Sequence, residues 1–440
     1  MTDTHDRAAP VGPKTGAPRR VARRHVFYIP GYDPIHPRRY RELYRKEGAA
    51  QAAISGYELE LTARKAETGG RYGWSAVGEM EGETARAEID VLVWSDIVRS
   101  SMSHTIPATY LQLVRTAWAY IGSGALWRLM RLRKGPVIAA LYPVGFLLLQ
   151  LGIALLLGHW AGEGLALAAS QIPFGTEGAA LEARLMLGGL VHYGAMAVIA
   201  WAILSWFKRK DGKFYAYYLM HDFAYSARHG GANPPPLEAR MAEFGDEIAA
   251  ALASDVDEVL VVGHSSGAHL GVSILADLIR ADRVPGDGPA LSFLSLGQVV
   301  PMVSFLPGAH RLRADLAYLS ASRALTWVDV TAPGDGCAFA LCDPVAVSGV
   351  APPRRRWPLV ISAAFTQTLS PMRWRELRWK FFRLHFQYLC AFDRPGDYDY
   401  FRITAGPQTL GARYAGRAPS ASRIEAPVNK YTSQSADAAA

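Results

Sequence analysis

Cysteine is scarce in this 440-residue chain, which has only Cys337, Cys342 and Cys390. Three thiols build no disulfide framework, and no CxxC pair or Cys/His cluster has structural zinc spacing. No metal is therefore expected, and a reducing compartment fits best. Nucleotide and zinc-protease signatures are also missing: no phosphate loop, GxGxxG fingerprint or HExxH occurs, so no cofactor is expected. Charged residues make up 20% of the chain against 50% apolar, which excludes pervasive disorder and leaves ample material for a core. The first two dozen residues hold no apolar run that would make a secretory signal. Rich in Pro, Gly, Ala and Arg, residues 1–24 are expected to be a disordered basic arm. From 416 onward the residues are small and polar, and 416–440 is expected to be a disordered tail.

Against that background two long apolar runs stand out. Residues 136–158, PVIAALYPVGFLLLQLGIALLLG, carry no charge, and as a helix would be roughly 34 Å long, enough to cross a bilayer. Residues 185–207 repeat the pattern, interrupted only by His192. Arg128, Arg131, Arg133 and Lys134 precede the first run, and Lys208, Arg209, Lys210 and Lys213 follow the second. The connection carries Glu163, Glu177 and Glu182 against Arg184. By the positive-inside rule this predicts a two-span hairpin in the inner (cytoplasmic) membrane, with both termini and the soluble domain cytoplasmic. Trp118, Trp127, Trp160, Trp201 and Trp206 fall where interfacial aromatics belong. A pair of buried cap-domain helices is the alternative, disfavoured by the matching basic flanks. His192 is expected to face its partner helix rather than relay protons.

The rest of the chain alternates between strand and helix patterns. Residues 25–29 (HVFYI), 57–61, 71–77, 89–94 (IDVLVW), 258–262 (EVLVV), 291–296 (LSFLSL) and 325–330 (LTWVDV) predict strands, while 38–53 and 237–253 have helical spacing. The expected class is α/β, with a mostly parallel sheet and helices on both faces. The expected organisation is a first part over 25–100, an insert over 101–235 holding the hairpin, and a second part over 236–415.

Gly263-His264-Ser265-Ser266-Gly267 directly follows the EVLVV strand and opens a helix. A serine on a tight strand-to-helix turn needs flanking glycines so that the backbone can reverse without clash, leaving its hydroxyl exposed above the sheet. In this context the GxSxG motif resembles the nucleophile elbow of the α/β-hydrolase superfamily, a resemblance covering most of the chain outside the ends and the insert. No characterised subfamily is indicated. A serine hydroxyl is a poor nucleophile at neutral pH, so the resemblance implies a histidine base and an orienting carboxylate in the order Ser265, acid, His. Of the histidines beyond the elbow, His310 precedes the strand after which the acid is expected, which leaves His385. For the acid, Asp335 lies in the loop leaving the LTWVDV strand and is favoured over Asp343. The oxyanion donors implied are the backbone N–H groups of Ser266 and of Tyr32, the latter in Pro30-Gly31-Tyr32-Asp33, where many hydrolases carry His-Gly. Asp33 is assigned no chemistry and could cap a helix.

Net charge is +8, and it falls near apolar segments. The run RWRELRWKFFR over 373–383, preceded by Arg354-Arg355-Arg356-Trp357, interleaves basic and aromatic residues. Beside two spans, contact with anionic lipid headgroups explains it more simply than nucleic acid, and a solvated helix face is the plain alternative. The expected activity is that of a membrane-anchored serine hydrolase (lipase/esterase-like) acting through an acyl-enzyme on an ester, lipid-derived by this reading. The alternatives are an acyltransferase with the same triad, or a hydrolase-like membrane scaffold without catalysis. Nothing in the pattern specifies an oligomer.

Overall fold

The computed structural model describes residues 20–64, 72–102, 105–171 and 177–435. They gather into two compact units, the first from residues 1–100, 119–137 and 226–440, the second from 101–118 and 138–225. The chain is mixed α/β.

The first unit is built on an eight-stranded sheet: β1 (Arg23–Ile29), β2 (Glu58–Ala63), β3 (Gly73–Met80), β4 (Glu83–Val91), β5 (Glu258–His264), β6 (Ala290–Leu296), β7 (Thr326–Thr331) and β8 (Leu359–Ser362). In space the order is β2-β3-β4-β1-β5-β6-β7-β8. β4, β1 and β5 to β8 run parallel, whereas β2 and β3 are antiparallel additions at one edge. Every residue of β5 is buried, as expected of a central parallel strand covered on both faces. On one face Val26, Tyr28, Leu260, Val262 and Leu294 pack with Tyr40 and Tyr44 of the helix Arg38–Ser55. On the other, the helix Gly267–Arg280 comes so close that a β carbon at Gly271 would lie 2.7 Å from the Phe293 ring.

Five features of this unit depart from the sequence reading. The strand expected over 89–94 starts earlier and pairs with β3 through a two-residue turn at Glu81 and Gly82, both at positive φ, which suits the twist of a hairpin. β8 is only four residues long, too short to register as a pattern. The expected tail is a correction: Ile424 exchanges backbone hydrogen bonds with Leu341 and Asp343, and Asn429 Nδ2 donates to Ser304 O, so small polar residues here serve to bond rather than to solvate. Of the expected basic arm, residues 1–19 lie outside the described residues, while Arg23 opens β1 and Arg24 is buried. Arg24 forms an ion pair with Glu258 at 2.7 Å and donates to Gly406 O, which offsets the desolvation of both charges. Residues 119–137, assigned to the insert by sequence, belong with the sheet, because Tyr120 Oη donates to Met302 O and Arg133 Nε to Ala340 O.

The second unit contains most of two long helices, Lys134–Ser170 and Ala179–Arg209, both long and apolar enough to cross a membrane. Each extends well beyond the runs at 136–158 and 185–207. Only 22% and 11% of their most apolar stretches are buried, whereas a core helix of a soluble domain is mostly buried.

Candidate active site

The groups singled out from sequence converge where the parallel strands end, the side of an α/β sheet on which ligand sites form. Ser265 follows β5 at φ 56°, a conformation costing a non-glycine residue on the order of 1–3 kcal/mol. The strain is held by packing. A β carbon at Gly263 would lie 2.6 Å from Gly267 O, and one at Gly267 would lie 2.1 Å from Ile29 O, so no larger residue fits either side of the serine. Ser265 N–H donates to Leu296 O at 2.9 Å, fixing the turn to the end of β6.

The loop after β1 lies against the serine, since a β carbon on Gly31 would sit 3.0 Å from Ser265 Cβ and 3.5 Å from its Oγ. This places Gly31-Tyr32 beside Ser265. Ser266 N–H, the first after Ser265, has no backbone acceptor among the described residues. Asp33 caps no helix; it accepts from Ile35 N–H and from Tyr40 Oη, which pins the loop in shape.

Asp335 and His385 are brought together. His385 Nδ1 donates to Asp335 Oδ2 at 2.7 Å, which leaves a lone pair on Nε2 able to accept a proton. Oδ2 also accepts from Tyr388 Oη at 3.0 Å, and Oδ1 accepts from Cys337 N–H at 2.8 Å. Burial opposes charge on Asp335, yet the facing imidazole and these donors outweigh it and hold the carboxyl below its usual range. Burial, then Asp335, push the Tyr388 phenol well above its ordinary range, so it remains a donor. Gly297, at φ 52° after β6, leaves room for both rings: its β carbon would lie 2.7 Å from Tyr388 Cε2 and 3.0 Å from His385 Cε1. Among the described residues no hydrogen bond joins Ser265 Oγ to His385.

Asp343 goes elsewhere. It accepts from Val345 and Ala346 N–H as a helix N-cap and pairs with Arg355 at 2.9 Å. His310 begins the helix His310–Ala321, and His269 is buried in the helix after the elbow. Two contributors had no signal in the sequence. His264, read only as part of the elbow, donates from Nε2 to His385 O at 3.0 Å, and Tyr388 Oη donates to Asp335. Both act through contacts between distant segments, which neither periodicity nor motif encodes. Cys337, Asp335 and His385 have ligand atoms within 4.8 Å of one another. A metal there would have to displace the proton shared by Asp335 and His385, so the arrangement suits proton transfer better than metal ligation.

The rim of the acid loop is apolar. A β carbon at Gly334 would lie 2.7 Å from Trp374 Cη2, so Trp374 turns inward and is no surface anchor. At Gly336 a β carbon would meet Phe381 Cδ1 at 3.2 Å, and at Gly135, in the first turn of the long helix, it would meet Gly336 O at 3.3 Å. Met372, Trp379, Phe381 and Phe382 remain exposed nearby in sequence, at 75%, 71%, 45% and 38%, forming an apolar patch among Arg375, Arg378, Lys380 and Arg383.

No family model matches the chain, and neither a curated protein nor a solved structure is significantly similar to it.

Proposed function

We propose that the chain is a membrane-anchored serine hydrolase of the α/β-hydrolase type that cleaves a lipid-derived ester. The observation that carries this reading is the buried Asp335–His385 contact, set at the same sheet end as a serine strained into the left-handed region. Ser265 Oγ attacks the ester carbonyl carbon while His385 Nε2 takes its proton, and Asp335 stabilises the imidazolium. The developing oxyanion is met by the N–H groups of Ser266 and Tyr32. His385 then passes the proton to the departing alkoxide oxygen, leaving an acyl ester on Ser265. Water, deprotonated by the same nitrogen, releases the acid and restores the hydroxyl.

A lipid substrate is supported by the contact of Gly135 with Gly336, which sets the start of an apolar helix against the acid loop, and by the exposed basic-aromatic patch. The basic flanks of the two long helices support a hairpin in the inner membrane with both termini and the catalytic domain cytoplasmic. A fluorophosphonate probe should label the protein in detergent or membranes, and Ser265→Ala should abolish labelling. Folded wild-type protein that resists the probe would overturn the reading in favour of a non-catalytic scaffold.

A further inference from the structure

Away from the serine, the second unit holds a cluster of its own. His159 Nδ1 lies 3.3 Å from His192 Nε2, with the rings nearly perpendicular at 83°. Thus the one polar interruption of the second apolar run faces a histidine. The approach depends on glycine, because a β carbon at Gly158 would lie 2.8 Å from Met196 O and one at Gly162 would lie 2.6 Å from His192 O. Gly158 and Gly162 make a small-xxx-small face that lets two helix backbones meet.

The spacing of the two nitrogens is informative. At 3.3 Å the two rings can share a direct N–H···N hydrogen bond, at the long end of the range for nitrogen donors. Two imidazole nitrogens each about 2.05 Å from a tetrahedral zinc are themselves about 3.3 Å apart. On the far side of the His159 ring, Nε2 is 3.5 Å from Glu163 Oε1, one turn along the same helix. A metal-binding imidazole commonly gives its second N–H to a carboxylate, which fixes the tautomer and aims the lone pair. The His159–Glu163 contact is longer than a hydrogen bond; closed to bonding distance it would hold a proton on Nε2 and leave the Nδ1 lone pair turned toward His192. An open groove of about 750 Å³, lined by Trp160, Glu163, Ser170, His192 and Tyr193 among others, leaves space for further ligands.

We propose that His159 and His192 form a bis-imidazole site for zinc between the two long helices, with Glu163 as the group that orients His159 and water completing the coordination. His159 is about 38 Å along its helix from Lys134, and His192 is about 26 Å along its own from Arg209. His159 is therefore well past the middle of its helix and His192 is close to the midpoint of its own, beside the open groove. The site is independent of the serine chemistry and adds to the other contacts between the helices, among them Arg184 Nη2 donating to Ser170 O at 2.8 Å.

The test uses the full chain in detergent, stripped with chelator and titrated with Zn²⁺ alone by calorimetry, with Co²⁺ as a spectroscopic substitute. The wild type should take up Zn²⁺ with micromolar or tighter affinity and give the visible bands of tetrahedral Co²⁺ on nitrogen and oxygen ligands. His159→Asn and His192→Asn, with helicity checked by circular dichroism, should each weaken binding at least tenfold, and Glu163→Gln by about tenfold. Ser265→Ala should leave binding unchanged, which separates this site from the hydrolase reading. Absence of Co²⁺ bands in the wild type would overturn the proposal without recourse to any variant. So would equal Zn²⁺ uptake by wild type and the double Asn variant, the result expected of a direct Nε2–H···Nδ1 hydrogen bond.

Discussion

His264 Nε2 lies 3.0 Å from the carbonyl oxygen of His385, so the residue before the nucleophile holds the backbone of the proposed base. The two rings lie 4.8 Å apart. Because the acceptor is a carbonyl, Nε2 must carry the proton. Burial, reinforced by the neighbouring His385, pushes His264 down to about 3 and keeps it neutral.

His264 is therefore a positioning residue. His264→Phe, which fills the space but donates nothing, should lower kcat on the order of a hundredfold while KM changes little. His264→Gln, retaining an N–H donor, should recover part of the loss. Steady-state kinetics on a short-chain soluble ester measures both, and a change confined to KM would assign His264 to substrate binding instead.

The two candidate acids should separate cleanly. Asp335→Asn should lower kcat on the order of 10⁴-fold, because it disturbs the tautomer and orientation of His385. Asp343→Asn should leave kcat near wild type and preserve the N-cap, since asparagine caps as well as aspartate, so that its stability cost comes from the charge partner that Arg355 loses. Denaturant titration beside kinetics reads both outcomes, and the reverse pattern would move the acid to Asp343.

Acid should weaken the first unit through two buried histidines. Burial lowers His269 to about 4, as it lowers His264 to about 3, against roughly 6.5 when unfolded. Both values are depressed in the folded state, so the unfolded chain binds more protons below pH 6.5. The stability they preserve is complete above about 6.5 and is lost as pH falls toward 4, at about 1.4 kcal/mol per pH unit for each group. His269→Asn should roughly halve the slope seen in chemical denaturation between pH 6 and 4.5; an unchanged slope would show that other groups dominate.

Trp379, Phe381 and Phe382 replaced together by Ala should reduce turnover of an ester presented in anionic vesicles at least tenfold, yet leave a soluble short-chain ester within about twofold. High salt should narrow the gap by screening the arginines around the patch. Equal losses on both substrates would place these aromatics in the catalytic core.

Much of this arrangement was legible in the residues. β5 is an apolar run followed by a glycine-flanked serine, so the strand and the turn that carries Ser265 were readable together. The acid loop followed from the position of Asp335 after β7, and His385 from its place beyond that loop. What could not be read were contacts whose partners lie far apart and have ordinary sequence surroundings. Tyr388 reaches Asp335, Arg24 reaches Glu258 and Gly406, and Ile424 reaches Leu341, each from a segment whose local pattern is unremarkable or too polar to suggest burial. Trp374 shows the converse: a surface-like setting among arginines conceals a ring packed over Gly334.

The pairing of β1 with β5 imposes a parity rule on the chain. Val26 is matched with Leu260, and both long apolar helices lie between them in sequence. A single sheet cannot be shared across a bilayer, so the number of crossings between β4 and β5 must be even. Two satisfy this condition, and one crossing by either helix alone does not. Parity also sets an order of synthesis. The ribosome delivers β1 to β4 first, with the side of β1 that will receive β5 still open, and the nucleophile strand arrives only after both helices have emerged. Under the proposed membrane reading the open edge must be sheltered while the two helices insert, and a failed insertion would leave β1 without its β5 neighbour.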